Sequence, residues 1–218
     1  MRLCDVGVVG ANGRLGSRVV AQATALGHGV TLRAGRGYWT GGVPGVLIDA
    51  SAPVMLPRIV DFCAKHRVPL VSVISGLTDS DRRLLAEVSR DVAVLRADNL
   101  SLGHYLQKYL VTALAAAVRS TGAADVGLDS VRGGLPVCDH TVETVIGQET
   151  VAVSHGVQDW AAYAASAVGA ARWLQQRSTQ APSAGLLTMD DYYAQYAAAA
   201  FPITAPPIST LAPEGVRS

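Results

Sequence analysis

The feature that most limits the fold of this chain is an alternation in its first hundred residues. Short apolar runs stand at Leu3–Val9, Val30–Ala34, Val46–Asp49, Pro69–Ile74 and Val92–Leu95. Between them lie stretches with helical spacing, expected over 14–26, 57–66 and 80–89, and one glycine-rich segment, Gly35–Pro44, expected as a loop. Runs too short for a buried helix, each followed by an amphipathic stretch, are the sequence form of βαβ units and a parallel sheet. The first half is therefore expected to be α/β, a Rossmann-type doubly wound parallel sheet.

After Asn99 the pattern changes. A long apolar helix is expected over 104–118, two or three alternating strands over 126–153 with a turn at Gly133-Gly134, and an alanine-rich helix over 159–175. A loop at 178–183, a helix over 189–200 and an irregular proline-containing tail from Pro202 complete the reading. The expected division is 1–103 as a doubly wound domain, 104–158 as a small α+β domain, and 159–218 as helices returning to the first. The chain is 50% hydrophobic and 16% charged, which favours a packed core over disorder. A net charge of +1 without basic blocks points away from nucleic acid and anionic membranes. No membrane-length apolar run or secretion leader is visible, and Cys4, Cys63 and Cys138 lack metal-type spacing. A cytoplasmic protein with isolated thiols is expected.

The first strand passes into its helix through Gly10-Ala-Asn12-Gly13-Arg14-Leu15-Gly16. Glycines there let the backbone turn tightly and approach a pyrophosphate, and the helix N-terminus offers free amides and positive dipole to that anion. A tight turn alone also uses glycine, so position after a strand and before a helix gives the motif its weight. At the end of the second strand, where a carboxylate would bind the ribose of NAD, the chain has Arg33 and Arg36. Guanidinium groups either suit the additional phosphate of NADP or are solvated surface residues, and NADPH is expected ahead of NADH.

These residues, taken in order, resemble the 4-hydroxy-tetrahydrodipicolinate (dihydrodipicolinate) reductase family. The glycine turn is similar to that family's Gly-Ala-x-Gly-Arg-Met-Gly. Ile48-Asp-Ala50-Ser51 is similar to its Ile-Asp-Phe-Thr beside the nicotinamide, and Val73-Ile-Ser75-Gly76 stands where it has Gly-Thr-Thr-Gly. Arg96-Ala-Asp98-Asn99-Leu-Ser-Leu-Gly103 is similar to its Ala-Pro-Asn-Phe-Ser-x-Gly. Val131-Arg132-Gly-Gly, His140, Ser154-His155, Ala170–Leu174 and Gly185–Asp190 follow in family order. The resemblance implies a small-imine substrate, a nicotinamide cofactor held by Ala50, Ser51, Ser75 and Asn99 beside the glycine turn, and a homodimer or homotetramer. It also implies that Gly185–Asp190 belongs to the closing helices. The family's His-His-x-x-Lys-x-Asp-Ala-Pro-Ser-Gly-Thr segment is absent: Ala115–Ala123 passes almost directly to the Arg132 strand.

Three residues are the candidates for the chemistry left to the chain. Asp98 either pairs with a cationic substrate or caps the turn before the long helix. Arg132 either holds a carboxylate in bidentate geometry or forms a structural ion pair. His140, with Asp139 and His155 nearby in the strands, either transfers a proton or is a hydrogen-bonded structural residue. Tyr105 and Lys108 are three apart, not the four of short-chain dehydrogenases. The aromatic residues at 160, 163, 173, 192, 193 and 196 read as packing or subunit contacts. The leading expectation is an NAD(P)H-dependent imine reductase of a specialised biosynthetic pathway. The alternatives are the lysine-pathway reductase with a shortened loop, and a non-redox binding, cyclase or partner protein on the same fold.

Overall fold

The computed structural model describes residues 4–120, 127–133, 138–180 and 184–200. They form two compact units, one from Met1–Leu102 with Gln158–Ala194, the other centred on Gly103–Val157. The first unit contains β1 (Asp5–Val9), α1 (Arg14–Ala25), β2 (Gly29–Gly35), β3 (Tyr38–Gly41) and β4 (Val46–Asp49). A 3-10 turn, Pro53–Met55, leads to α2 (Leu56–His66), β5 (Leu70–Ser72), α3 (Asp79–Val88) and β6 (Ala93–Arg96). The chain returns to this unit with α5 (Trp160–Gln180), β10 (Gly185–Thr188) and the start of α6 (Met189–Ala200).

The sheet order is β10-β6-β5-β4-β1-β2-β3, parallel except for β3. The central strands are buried on both faces, which explains why they read as continuous apolar runs rather than alternating ones. On one face Leu47, Leu70 and Val94 pack with Leu56, Ile59 and Cys63 of α2 and Leu85 of α3. On the other, α5 lies against β4, β5, β6 and α1. Its buried Ala164, Ala167, Ala170 and Ala171 give a shallow surface that lets it approach closely.

Local signals set the helix ends. Gly27 adopts φ 74° after α1, and the His28 amide donates to the Ala23 carbonyl at 2.9 Å, closing a Schellman-type cap. Thr78 and Asp81 form a reciprocal capping box at the start of α3. Tyr193 fixes α6 by donating to the Leu100 carbonyl at 2.7 Å.

Three expectations are corrected here. The Gly35–Pro44 segment contains β3, antiparallel to β2, where Arg33 pairs with Thr40 and Ala34 with Trp39. Helix α5 continues through Ser178 and Thr179, because their hydroxyls bond back to the Leu174 and Gln176 carbonyls instead of breaking the helix. Gly185–Thr188, expected with the closing helices, is a strand completing the edge beside β6. Gly133, expected in a turn with Gly134, ends a strand opposite Asp139, while Gly134 and the tail from Pro202 lie outside the described residues.

The second unit consists of α4 (Leu102–Ser120) and the antiparallel sheet β7 (Gly127–Gly133), β8 (Cys138–Ile146) and β9 (Glu149–Val157). Gln107, a buried polar residue in a mainly apolar helix, donates both amide hydrogens, to the His140 carbonyl at 2.8 Å and the Val153 carbonyl at 2.7 Å. One side chain thus pins α4 across two strands. Gln107→Leu is expected to cost this unit about 2–3 kcal/mol, measured by urea unfolding, because two carbonyls lose their donors. Unchanged stability would mean that packing alone holds α4.

Candidate functional site

The glycine turn is built as a cradle. Gly10, at φ 78°, and Ala11 both donate to the Ala34 carbonyl, at 2.8 and 3.2 Å, which ties the turn to β2. A Cβ on Gly10 would overlap the Ala50 carbonyl, and one on Gly16 would overlap the Gly10 carbonyl. Helix α1 starts at Gly13 with no side-chain cap and no acidic residue in its first turn. Its first backbone bond runs from the Ser17 amide to the Gly13 carbonyl at 3.0 Å. The amides of Arg14, Leu15 and Gly16 precede that bond, so an anion there meets unspent donors and the positive end of the helix dipole. This fits a diphosphate.

Beside the cradle is a cavity of about 330 Å³, bounded by Gly13, Arg14 and Leu15, by Ala50 and Ser51 after β4, by Val73–Ser75 after β5, and by Trp160. It lies at the carboxyl ends of the parallel strands, where open α/β sheets hold ligands. A slightly larger cavity of about 390 Å³, near Arg67 and Asp91, lies away from the glycine turn and brings no comparable donor set together. Trp160, expected as a packing or subunit-contact residue, packs edge-on against Tyr163 and also lines this cavity. The Arg14 guanidinium sits 5.3 Å from its ring centroid, within cation–π range. No sequence signal distinguishes that tryptophan from the packing aromatics. Its place depends on α5 returning to α1.

The site gathers Gly10, Gly13, Arg14, Leu15, Gly16, Ala50, Ser51 and Ser75, with exposed Asn12 in the same turn. Arg33 and Arg36 are exposed on β2 and the turn into β3. Asn99 accepts the Ser101 amide at 2.9 Å and so closes the turn before α4 itself. Asp98 accepts from the Arg96 guanidinium at 2.9 Å.

Comparison with known proteins decides the family. The dihydrodipicolinate reductase N-terminal model matches residues 40–100, and the dihydrodipicolinate reductase C-terminal model matches residues 85–192. The chain belongs to the dihydrodipicolinate reductase family. It is 26% identical to the 4-hydroxy-tetrahydrodipicolinate reductase of Psychrobacter arcticus, over 86% of this chain and 81% of the relative. With that of Rickettsia bellii it is 26% identical over 68% and 75%. The fold is shared with a dipicolinate-bound dihydrodipicolinate reductase from Paenisporosarcina sp. TG-14, at TM-score 0.60 and 12% identity, covering 86% of this chain and 98% of that one.

The Psychrobacter alignment extends over 240 positions, more than the 218 residues present here. The relative therefore contains segments that this dihydrodipicolinate reductase family member lacks, in keeping with the missing His-His-Lys stretch. Within the second unit, His140 on β8 is opposite His155 on β9 and opposite Arg132 on β7. The Arg132 side chain lies outside the described residues. His104, from the first turn of α4, completes a trio with ring centroids 5.7–6.4 Å apart. Gly103 makes room for it, since a Cβ there would overlap the His155 ring. Burial, and then His140, hold His155 below the ordinary histidine range, with Asp139 opposing. His104 was not singled out in the sequence, because a histidine on an apolar helix carries no spacing signal.

Proposed function

We propose that this protein is an NAD(P)H-dependent reductase of the dihydrodipicolinate reductase type, acting on the C=N bond of a cyclic dicarboxylic imine in lysine biosynthesis. The single observation that carries the reading is the uncapped glycine cradle opening on the Ser51 cavity, in a chain matched by both halves of that family. The names of the relatives support the lysine-pathway role over a specialised imine reduction. Family membership and the cradle both favour a redox protein over a non-redox one.

The glycine turn and the amides of Arg14, Leu15 and Gly16 would hold the diphosphate, with Arg14 backed by Trp160. When bound, the dihydronicotinamide supplies hydride. Ala50, Ser51 and Ser75 bound the volume in which the reacting carbon would be oriented. Arg33 and Arg36 would take the 2′-phosphate of NADPH. Replacing both by alanine is expected to weaken NADPH roughly 100-fold, as two charge-assisted bonds are lost, while NADH binding stays level. Calorimetric titration with each cofactor measures this, and equal losses for both would remove the NADPH assignment.

Activity is tested by NADPH oxidation with the cyclic imine and by growth of a reductase-deficient lysine auxotroph. Failure of both, with the protein folded, refutes the reading. Cytoplasmic location and self-association as a dimer or tetramer belong to the same proposal. Light scattering gives the mass.

A further inference from the structure

Reduction of an imine needs a proton as well as hydride, and this chain lacks the family's His-His-Lys segment. Beneath the cavity wall, β4 ends on a fully buried carboxyl, Asp49. Asp49 is in register with Ser72 of β5, and Ser72 with Arg96 of β6. Residues two apart on a strand share a face. Leu47, Leu70 and Val94 belong to the core under α2 and α3. Asp49, Ser72 and Arg96 therefore continue that face as a polar row at the carboxyl edge.

The row does not neutralise the carboxyl. Arg96 is two strands away, about 10 Å at ordinary strand spacing, and is already paired with Asp98. Among the described residues no cation lies within salt-bridge reach of Asp49. Oδ1 accepts the Ser51 hydroxyl at 2.5 Å and the Ser51 amide at 3.0 Å, while Oδ2 has no hydrogen-bond partner among those residues. The other facing groups are Cys63 on α2, whose thiol burial and Asp49 itself keep neutral, and the Ser72 hydroxyl; the neighbouring position on β1 is Val9. Burial pushes the Asp49 carboxyl up to about 6, against the pull of the two Ser51 hydrogen bonds. An Asx turn needs only the Oδ1 acceptor, which asparagine supplies equally well. A buried carboxyl with no counter-ion among the described residues calls for a use of its proton.

We propose that Asp49 is the proton source of the reduction, acting through the Ser51 hydroxyl at the cavity wall. The inference rests on the reductase reading. The imine carbon gains hydride from the reduced nicotinamide, and the C=N π pair becomes a nitrogen lone pair. With Asp49 protonated on Oδ1 the Oδ1–Oγ hydrogen bond reverses, so the acid donates to Ser51 Oγ and the Ser51 hydroxyl proton turns to the cavity. The nitrogen takes that proton while Ser51 Oγ takes the proton of the Asp49 carboxyl. Asp49 is left as carboxylate and is reprotonated from solvent by the reverse route when the cavity empties. Ser51 is the catalytic residue and Asp49 a positioning residue with a mobile proton.

The test uses the full chain with NADPH and the cyclic imine across pH 5–8, beside carboxyl ¹³C NMR of the cofactor-free protein. The Asp49 resonance is expected to titrate near pH 6, and kcat to fall as pH rises beyond it. Asp49→Asn keeps the turn but is expected to lose on the order of 10²-fold in kcat, together with that pH limb, at unchanged NADPH affinity. Ser51→Ala should lose a similar factor. A carboxyl titrating below pH 4, or Asp49→Asn with wild-type kcat and pH profile, overturns the proton role while leaving the reductase reading intact. A wild type that binds NADPH and reduces no cyclic imine overturns both. If Asp49→Asn fails to fold, the wild-type titration and Ser51→Ala decide.

Discussion

Gly16→Ala is expected to disable the dinucleotide cradle and to destabilise the first unit by about 3 kcal/mol or more. The added methyl would overlap the carbonyl oxygen of Gly10, a backbone atom that cannot rotate away. Gly10 is itself confined, at φ 78° and in contact with the Ala50 backbone, so the turn has no slack toward β4. The overlap is relieved only if α1 backs off the sheet, which withdraws the Arg14, Leu15 and Gly16 amides from the anion. NADPH affinity should then fall roughly 100-fold, equivalent to losing two charge-assisted hydrogen bonds. Gly13→Ala makes the contrast. Its φ is −74° and the new methyl would lie 3.1 Å from the Gly10 oxygen, a contact that a shift of a few tenths of an ångström relieves. Urea unfolding and calorimetric titration of both variants give the result. A Gly16→Ala protein within 1 kcal/mol of wild type, with NADPH still bound, would show that close approach is not what the glycine provides.

The second large effect is a pH-dependent gain in stability from Asp49→Asn. The carboxyl is raised from 3.8 to about 6 in the folded protein, so between those values the folded state binds more protons than the unfolded state. Its favourable contribution is complete below pH 3.8 and is lost as pH rises through 6. Above both values the buried charge costs about 3 kcal/mol. Asparagine resembles the neutral acid and carries no such cost. Asp49→Asn should therefore gain up to about 3 kcal/mol on wild type between pH 4 and pH 7.5, on top of a pH-independent offset from the amide placed at the unpartnered Oδ2 position. His28 and His155, both held low by burial, add an opposite slope to each protein, which the difference between the two removes. A stability difference that does not vary with pH would mean that folding leaves the Asp49 carboxyl at its unfolded value.

On the proposed role, proton delivery and surplus stability pull against each other at Asp49. A chain selected for stability alone would carry asparagine there. Retaining the acid fits the pattern in which functional sites hold costly groups.

Much of the first unit was legible because its signals are local. The strands around Val6, Leu32, Ile48, Val71 and Val94 and the helices between them follow from runs of apolar residues and helical spacing. The elements that were missed, β3 and β10, are four residues each at sheet edges. Tyr38–Gly41 becomes a strand because β2 offers an open edge, and Gly185–Thr188 because β6 does. A segment that short carries no periodicity of its own, so the neighbour decides. The same holds for Gln107, whose amide is explained only by the carbonyls of His140 and Val153.

The α/β alternation, the glycine turn from Gly10 to Gly16 and the ordered motifs of the dihydrodipicolinate reductase family are all written in the order of the residues. Each of these depends on residues within a few positions of one another. Tertiary structure alone decided that Trp160 backs Arg14, that Asp98 is tied to Arg96, and that Asp49 is buried beside Ser51 with no counter-ion among the described residues. Burial and the identity of spatial neighbours are properties of the packed chain. They set the charge on Asp49, and no spacing in the sequence records them.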